Sequence, residues 1–213
     1  MVTFAMLWAC AVGSLHDSRA GGTIEGVVPL TASASAPAAS AGRYQVKASG
    51  PIAAPQPSVA IVYLEGAFAP STAAPQQVMP QKDFQFAESV LPVQKGATVA
   101  FPNLDDDYHN VFSYSKPKRF DLGRYKKEEK APSITFDQPG LVKLYCEIHE
   151  HMRASILVLD TPHFTRTSTN GHFVLTNIPA GEYTLKAWLD EKRTLSQPVK
   201  VSRGQVVKAS FSP

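Results

Sequence analysis

The 213-residue chain is predicted to be all-β, folded as two small β-sandwiches. Three observations carry this. Seventeen prolines and 13 glycines punctuate the chain, among few runs that favour a helix. The apolar runs are short, rich in Val, Ile, Thr, Phe and Tyr, and bounded by turn residues. At roughly 150 residues per domain, the length admits one large or two small domains. The net charge of +3 lacks the dense basic stripe and interleaved aromatics of a nucleic-acid binder, so no nucleic-acid partner is expected. Two cysteines, Cys10 and Cys146, exclude a multi-disulfide scaffold.

The elements follow in chain order. Residues 1–15 form an apolar stretch, and Ser18-Arg19-Ala20 has the small-residue spacing of a cleavage site, so 1–20 reads as a signal peptide and the protein as periplasmic or otherwise exported. The stretch is too short to span a bilayer comfortably, so no stable membrane insertion is expected after cleavage. Leu7-Trp8-Ala9-Cys10 is only a weak lipoprotein box because Trp is poor there, and a buried first strand is the remaining reading. Cleavage after Ala20 leaves Cys146 as the sole thiol in an oxidising compartment, a liability unless a metal occupies it.

Residues 22–28 (GTIEGVV) read as a strand, 31–58 as a long Ala/Ser/Pro loop, and 58–64 (SVAIVYL) as a strand before a second Ala/Pro stretch. Strands are then expected at 84–86, 90–93 and 98–101, with a tight turn at Lys95-Gly96. Residues 116–130 (KPKRFDLGRYKKEEK) carry many charges without a helical period and read as an exposed, solvated excursion. Residues 133–136, 141–146 and 154–159 are strands, the last two joined by a short loop. Four more strands are expected at 171–176, 181–189, 197–201 and 205–211.

The short loop carries the chemistry. Cys146-Glu-Ile-His149-Glu-His151-Met152 places a thiolate, an imidazole and a thioether within seven residues. Soft sulfur donors with imidazole select copper, and a His₂Cys set with a weak axial Met is the blue-copper arrangement. A second imidazole is available upstream at His109. Zinc is the weaker alternative, since its structural sites do not use thioether. His151 is expected to turn outward, and His163 and His172 have no clustered partners and read as structural. Asp105-Asp106-Asp107 reads as an exposed acidic turn, with tuning of the site or repulsion of anionic partners as the sharper reading.

These motifs resemble the cupredoxins, the small blue copper proteins, in their amicyanin- and plastocyanin-like members. The resemblance rests on Cys-x-x-His-x-x-Met at 146–152, on 93–101 (VQKGATVAF), on Asn103 ahead of His109, on His109-Asn110-Val111, and on Gly140 ahead of Cys146. It covers roughly residues 82–160. Leu144 and Val142 stand where the family often has Tyr, and His151 is an added imidazole. The resemblance implies a Greek-key cupredoxin β-sandwich holding one mononuclear type 1 copper. It implies His109, Cys146 and His149 as strong equatorial ligands and Met152 as the axial one, with Asn110 hydrogen-bonding across to the other ligand loop. It implies a one-electron carrier rather than an enzyme, exchanging electrons near His149 with a dehydrogenase, cytochrome or oxidase. The alternatives are a copper storage or delivery protein, or a non-catalytic docking module.

Residues 165–185 resemble the Asp-x-x-Gly-x-Phe-x-Leu…Val-Pro-x-Gly-x-Tyr-x-Leu pattern of carboxypeptidase regulatory-like, transthyretin-like sandwich modules. Those modules begin with strands like 22–28 and 60–64 of this chain. The expected organisation is therefore a discontinuous sandwich, 21–66 with 161–213, into which the copper domain, 82–160, is inserted. In the rival organisation, residues 58–66 supply the first strand of the copper domain.

Overall fold

A computed structural model describes residues 21–30, 58–68 and 76–212. The expected signal peptide with Cys10, most of the expected Ala/Ser/Pro loop and most of the second Ala/Pro stretch lie outside the described residues. Among the described residues every helix or strand is a strand.

The strands form two groups, each around its own core. In chain order they are β1 (Gly22–Val27), β2 (Ile61–Glu65), β3 (Gln77–Val78), β4 (Gln81–Lys82), β5 (Gln85–Phe86), β6 (Val90–Gln94), β7 (Thr98–Ala100), β8 (His109–Ser113), β9 (Phe120–Tyr125), β10 (Ser133–Thr135), β11 (Gly140–Tyr145) and β12 (Arg153–Leu159). They continue as β13 (Phe164–Arg166), β14 (His172–Ile178), β15 (Gly181–Asp190), β16 (Arg193–Val201) and β17 (Val206–Lys208). One group has a five-stranded sheet, β6-β12-β11-β8-β9, a three-stranded sheet, β10-β7-β3, and the β4-β5 hairpin. The other has the sheets β14-β1-β17 and β13-β2-β15-β16. Among the described residues, β1 and β2 thus pair only with strands after 161. Strand β3, upstream of the expected boundary at 82, pairs with β7.

Two strands are apolar on both faces, and this couples the groups. Along β12, Ala154, Ile156 and Val158 enter the first core while Leu157 and Leu159 face the opposite side. Along β2, Val62 and Leu64 enter the second core while Ile61 and Tyr63 face outward. Alternate side chains point to opposite faces of a strand, so continuous apolar runs such as ILVL and AIV satisfy two layers at once. The outward residues meet in a third cluster of Ile61, Val90, Leu157 and Leu159, packed with Trp188 and Phe164. Each such aliphatic contributes about 1.5–3 kcal/mol when fully buried. Ion pairs Lys143–Glu191 and Arg166–Glu88 flank this junction.

Local chemistry fits the elements. Pro92 and Pro198 lie in β6 and β16, which are edge strands, where a missing N–H breaks no ladder. Gly96 takes φ +89°, the left-handed geometry expected of its tight turn.

The 116–130 segment corrects the expected solvated excursion. Its middle is β9, paired with β8, with Phe120 and Leu122 against the first core and Tyr125 buried. Residue 84 also leaves the expected 84–86 strand: it lies in the turn between β4 and β5, at φ +59°.

Candidate metal centre

Three loops converge at one end of the first sandwich: 101–108 before β8, 146–152 between β11 and β12, and the β4-β5 hairpin. His109 opens β8 and Cys146 directly follows β11. These strands are neighbours, with Tyr145 opposite Phe112, so the ladder brings the two residues to the same end. His109, Cys146 and His149 form the one candidate metal-holding group found among the described residues, with their ligating atoms all within 4.8 Å of one another. His109 is fully buried and His149 is 8% exposed.

The atoms are aimed inward. Nδ1 of His109 lies 3.0 Å from Nδ1 of His149, and Sγ of Cys146 lies 3.9 Å from the same His149 atom. On the far side of its ring, Nε2 of His109 lies 2.8 Å from Asp105 Oδ2. An ionised carboxylate only accepts, so Nε2 donates to it, and this bond turns Nδ1 towards Cys146 and His149. Met152 is buried in the core that contains Cys146, and its N–H donates to the His149 carbonyl at 2.9 Å, closing the loop. Asn110 accepts the Glu147 N–H on Oδ1 at 2.8 Å and donates from Nδ2 to Asp121 at 3.3 Å, joining the two ligand-bearing segments.

The electrostatics favour the metal-binding forms of Cys146 and His149, while at His109 they favour the protonated ring. Burial pushes the Cys146 thiol up, but hydrogen bonds from His109 and from the N–H groups of Asn110, His149 and Ile148 outweigh it and hold the thiol below its usual range. Burial, with the neighbouring His109 and His151, lowers His149 and keeps it neutral. For His109, burial acts downward, while the bonds to Cys146 and Asp105 act upward and prevail. Burial likewise opposes ionisation of Asp105, yet His109 and the N–H groups of Phe84 and Asp83 hold its carboxyl below the usual range.

Phe84 covers the site. Its ring meets His149 edge-on at 4.9 Å between centroids and His109 at 5.8 Å. His151 is exposed, as expected, and its Nε2 lies 3.0 Å from the Phe84 carbonyl oxygen, outside the ligand group. The acidic turn needs correction: the Asp106 side chain is 88% exposed and pairs with Lys127, but that of Asp105 is 12% exposed and bonded to His109. His163 packs edge-on against Phe68, and His172 is exposed on β14, both outside the group. Around His149, Asp107, Tyr108, Arg124 and Ile148 line a shallow surface in which Tyr108 and Ile148 are exposed.

Sequence reasoning missed Phe84 as a cover and Tyr125 as a brace. The Tyr125 hydroxyl donates to the Phe101 carbonyl at 2.8 Å and accepts from Gln81 Nε2 at 2.5 Å, tying the hairpin to the strands behind the site. A buried Cys with two His side chains is a donor set suited to copper and able to hold it without a carboxylate ligand.

No protein-family model matches the chain, and no curated protein matches it. Solved structures do match. A copper(I) form of an amicyanin mutant is 26% identical over 39% of this chain and 81% of that chain, with a TM-score of 0.37. A reduced copper(I) form of another amicyanin mutant, at pH 4, is 23% identical over 46% of this chain and 98% of that chain, with a TM-score of 0.37. A copper-containing nitrite reductase from Thermus scotoductus SA-01 is 24% identical over 46% of this chain and 25% of that chain, with a TM-score of 0.38.

Proposed function

We propose that the protein is an exported one-electron carrier in which His109, Cys146, His149 and Met152 would hold a single type 1 copper. The observation that carries this is the buried convergence of Cys146 with the two imidazoles, whose Nδ1 atoms are 3.0 Å apart, with Sγ 3.9 Å from that of His149. When bound, copper supplies a one-electron couple between its +1 and +2 states. The residues keep the donors in place. His109 and Cys146 sit at the ends of neighbouring strands, Asn110 ties their segments together, and Met152 is fixed through its N–H to the loop. Ligands held this way need little rearrangement when the metal changes charge, which suits electron transfer rather than turnover of a bound substrate.

The redox partner docks over Tyr108 and Ile148, which line one surface with His149, and a dehydrogenase, cytochrome or oxidase fits this role. Residues 1–20 direct export to the periplasm. The chain is organised as a transthyretin-like sandwich, 21–66 with 161–213, interrupted by the copper domain, a reading supported by β1 and β2 pairing only with strands after 161. The second sandwich serves as scaffold or docking module.

The test is the visible and paramagnetic resonance spectrum of the purified protein with one equivalent of copper(II). An intense thiolate-to-copper band with narrow hyperfine splitting, lost in Cys146→Ser, is expected. A pale, ordinary copper spectrum indifferent to Cys146→Ser would overturn the carrier and favour storage, delivery or docking.

A further inference from the structure

Asp105 touches both halves of the centre at once. Its Oδ2 faces His109 Nε2 at 2.8 Å, and the same carboxylate accepts the Asp83 N–H at 2.8 Å and the Phe84 N–H at 3.1 Å. Asp83 and Phe84 are the central residues of the turn between β4 and β5, with φ of +53° and +59°. Two successive left-handed residues define a type I′ hairpin, a geometry that favours Asn-Gly and disfavours a bulky aromatic. Such a turn persists only where its surroundings over-determine it. Here one carboxylate gathers both N–H groups, and His151 lies against the Phe84 carbonyl on the outer side. The carboxylate is itself braced. Asn103 Oδ1 accepts the Asp105 N–H at 2.9 Å, and Asn103 Nδ2 donates to the carbonyls of Asp107 and Tyr125.

We infer that Asp105 is a positioning residue, a clamp that aims the Nδ1 atom of His109 and holds the unfavourable Asp83-Phe84 turn so that the Phe84 ring covers both imidazoles. The inference rests on the copper reading for its redox consequence and on the metal-free contacts for its structural one. A carboxylate on the far nitrogen makes a ligand imidazole a stronger donor and fixes its ring plane. A stronger donor favours the more highly charged metal, so the carboxylate holds the reduction potential down. The hairpin excludes water from the ring face only while its two N–H groups are gripped.

The experiment uses full-length protein carrying Asp105→Asn or Asp105→Ala, alongside wild type. In metal-free protein, NMR hydrogen exchange reads the Asp83 and Phe84 amides, and the imidazole Nε2–H of His109 reports its bond. Both amides are expected to be protected in wild type, and Asp105→Ala to lose that protection together with the bonded Nε2–H signal. Asp105→Asn keeps an acceptor without the charge and serves if the alanine variant does not fold. In copper-loaded protein, Asp105→Asn is expected to weaken copper(II) relative to copper(I) by about tenfold, which for one electron is an upward shift of about 59 mV. Unchanged amide protection in a folded Asp105→Ala protein, or an unshifted potential in Asp105→Asn, would overturn the clamp. A wild-type protein without the blue spectrum would overturn the copper reading instead, and the metal-free exchange data would still decide the structural clamp.

Discussion

Asn110 and Glu147 join the two segments that carry the candidate ligands: Asn110 Oδ1 accepts the Glu147 N–H at 2.8 Å, one residue beyond His109 on one side and one beyond Cys146 on the other. Asn110 is almost completely buried. Asn110→Leu removes the acceptor and leaves a backbone N–H without a partner. A destabilisation of about 1–3 kcal/mol is expected from the general penalty for such groups. Denaturant unfolding measures it, and an unchanged midpoint would mean that the loops are held by other contacts.

Tyr125 connects the hairpin to the strands behind the centre. Burial raises its phenol far above the usual range, so the hydroxyl stays protonated and donates to Phe101. Gln81 is buried and its Oε1 has no hydrogen-bond partner, so Nε2 depends on Tyr125. Tyr125→Phe strands both the Gln81 amide and the Phe101 carbonyl, and should cost about 1–3 kcal/mol although it deletes one atom. Thermal unfolding at neutral pH checks this.

His163 gives the fold a dependence on acid. Burial against Phe68 lowers its imidazole below the usual range. The unfolded chain therefore takes up this proton first as pH falls. The contribution is fully present above about pH 6.5, the unfolded value, and is lost progressively as pH falls through it towards the lower folded value. His163→Gln has no such proton. Its stability should decline less between pH 7 and pH 5 than that of wild type, and equal declines would remove His163 as the cause.

Leu157 lies on the face of β12 that meets the second group. Leu157→Ala should cost about 2–5 kcal/mol by leaving a cavity. Because it weakens the junction rather than either main core, calorimetry is expected to resolve the single unfolding transition into two. One sharp transition at lower temperature would show that the halves still melt together. The same variant should leave the visible spectrum of copper-loaded protein unaltered, since no candidate ligand touches residue 157.

The legibility of the chain followed the range of the interactions. Cys146, His149 and Met152 share one loop, and His109 is flagged by its own neighbours, so the group was visible as a spacing. Glycine at the Lys95-Gly96 turn was visible for the same local reason. Strand β9 was hidden by a change of phase. Phe120 and Leu122 share one parity and Tyr125 the other, because a bulge opposite Asn110–Phe112, with Gly123 at φ +69°, inserts a residue into the ladder. Alternation breaks there, and the charges on the outer face dominate the composition. Asp105 and Phe84 were hidden by distance along the chain, since no pattern in 81–86 announces that a carboxylate 21 or 22 residues away will grip its turn.

The pairing of β1 and β2 also sets an order of assembly. Val27 lies opposite His172, Thr23 beside Val206, and Ile61 opposite Trp188, so both leading strands wait for partners near the C-terminus. The segment holding the candidate ligands pairs with itself and can acquire structure while the ribosome is still working. Strands β1 and β2, synthesised earlier, stay unmatched until the strands after residue 161 emerge. Their apolar faces are thus the part of the nascent chain most exposed to aggregation and to chaperones.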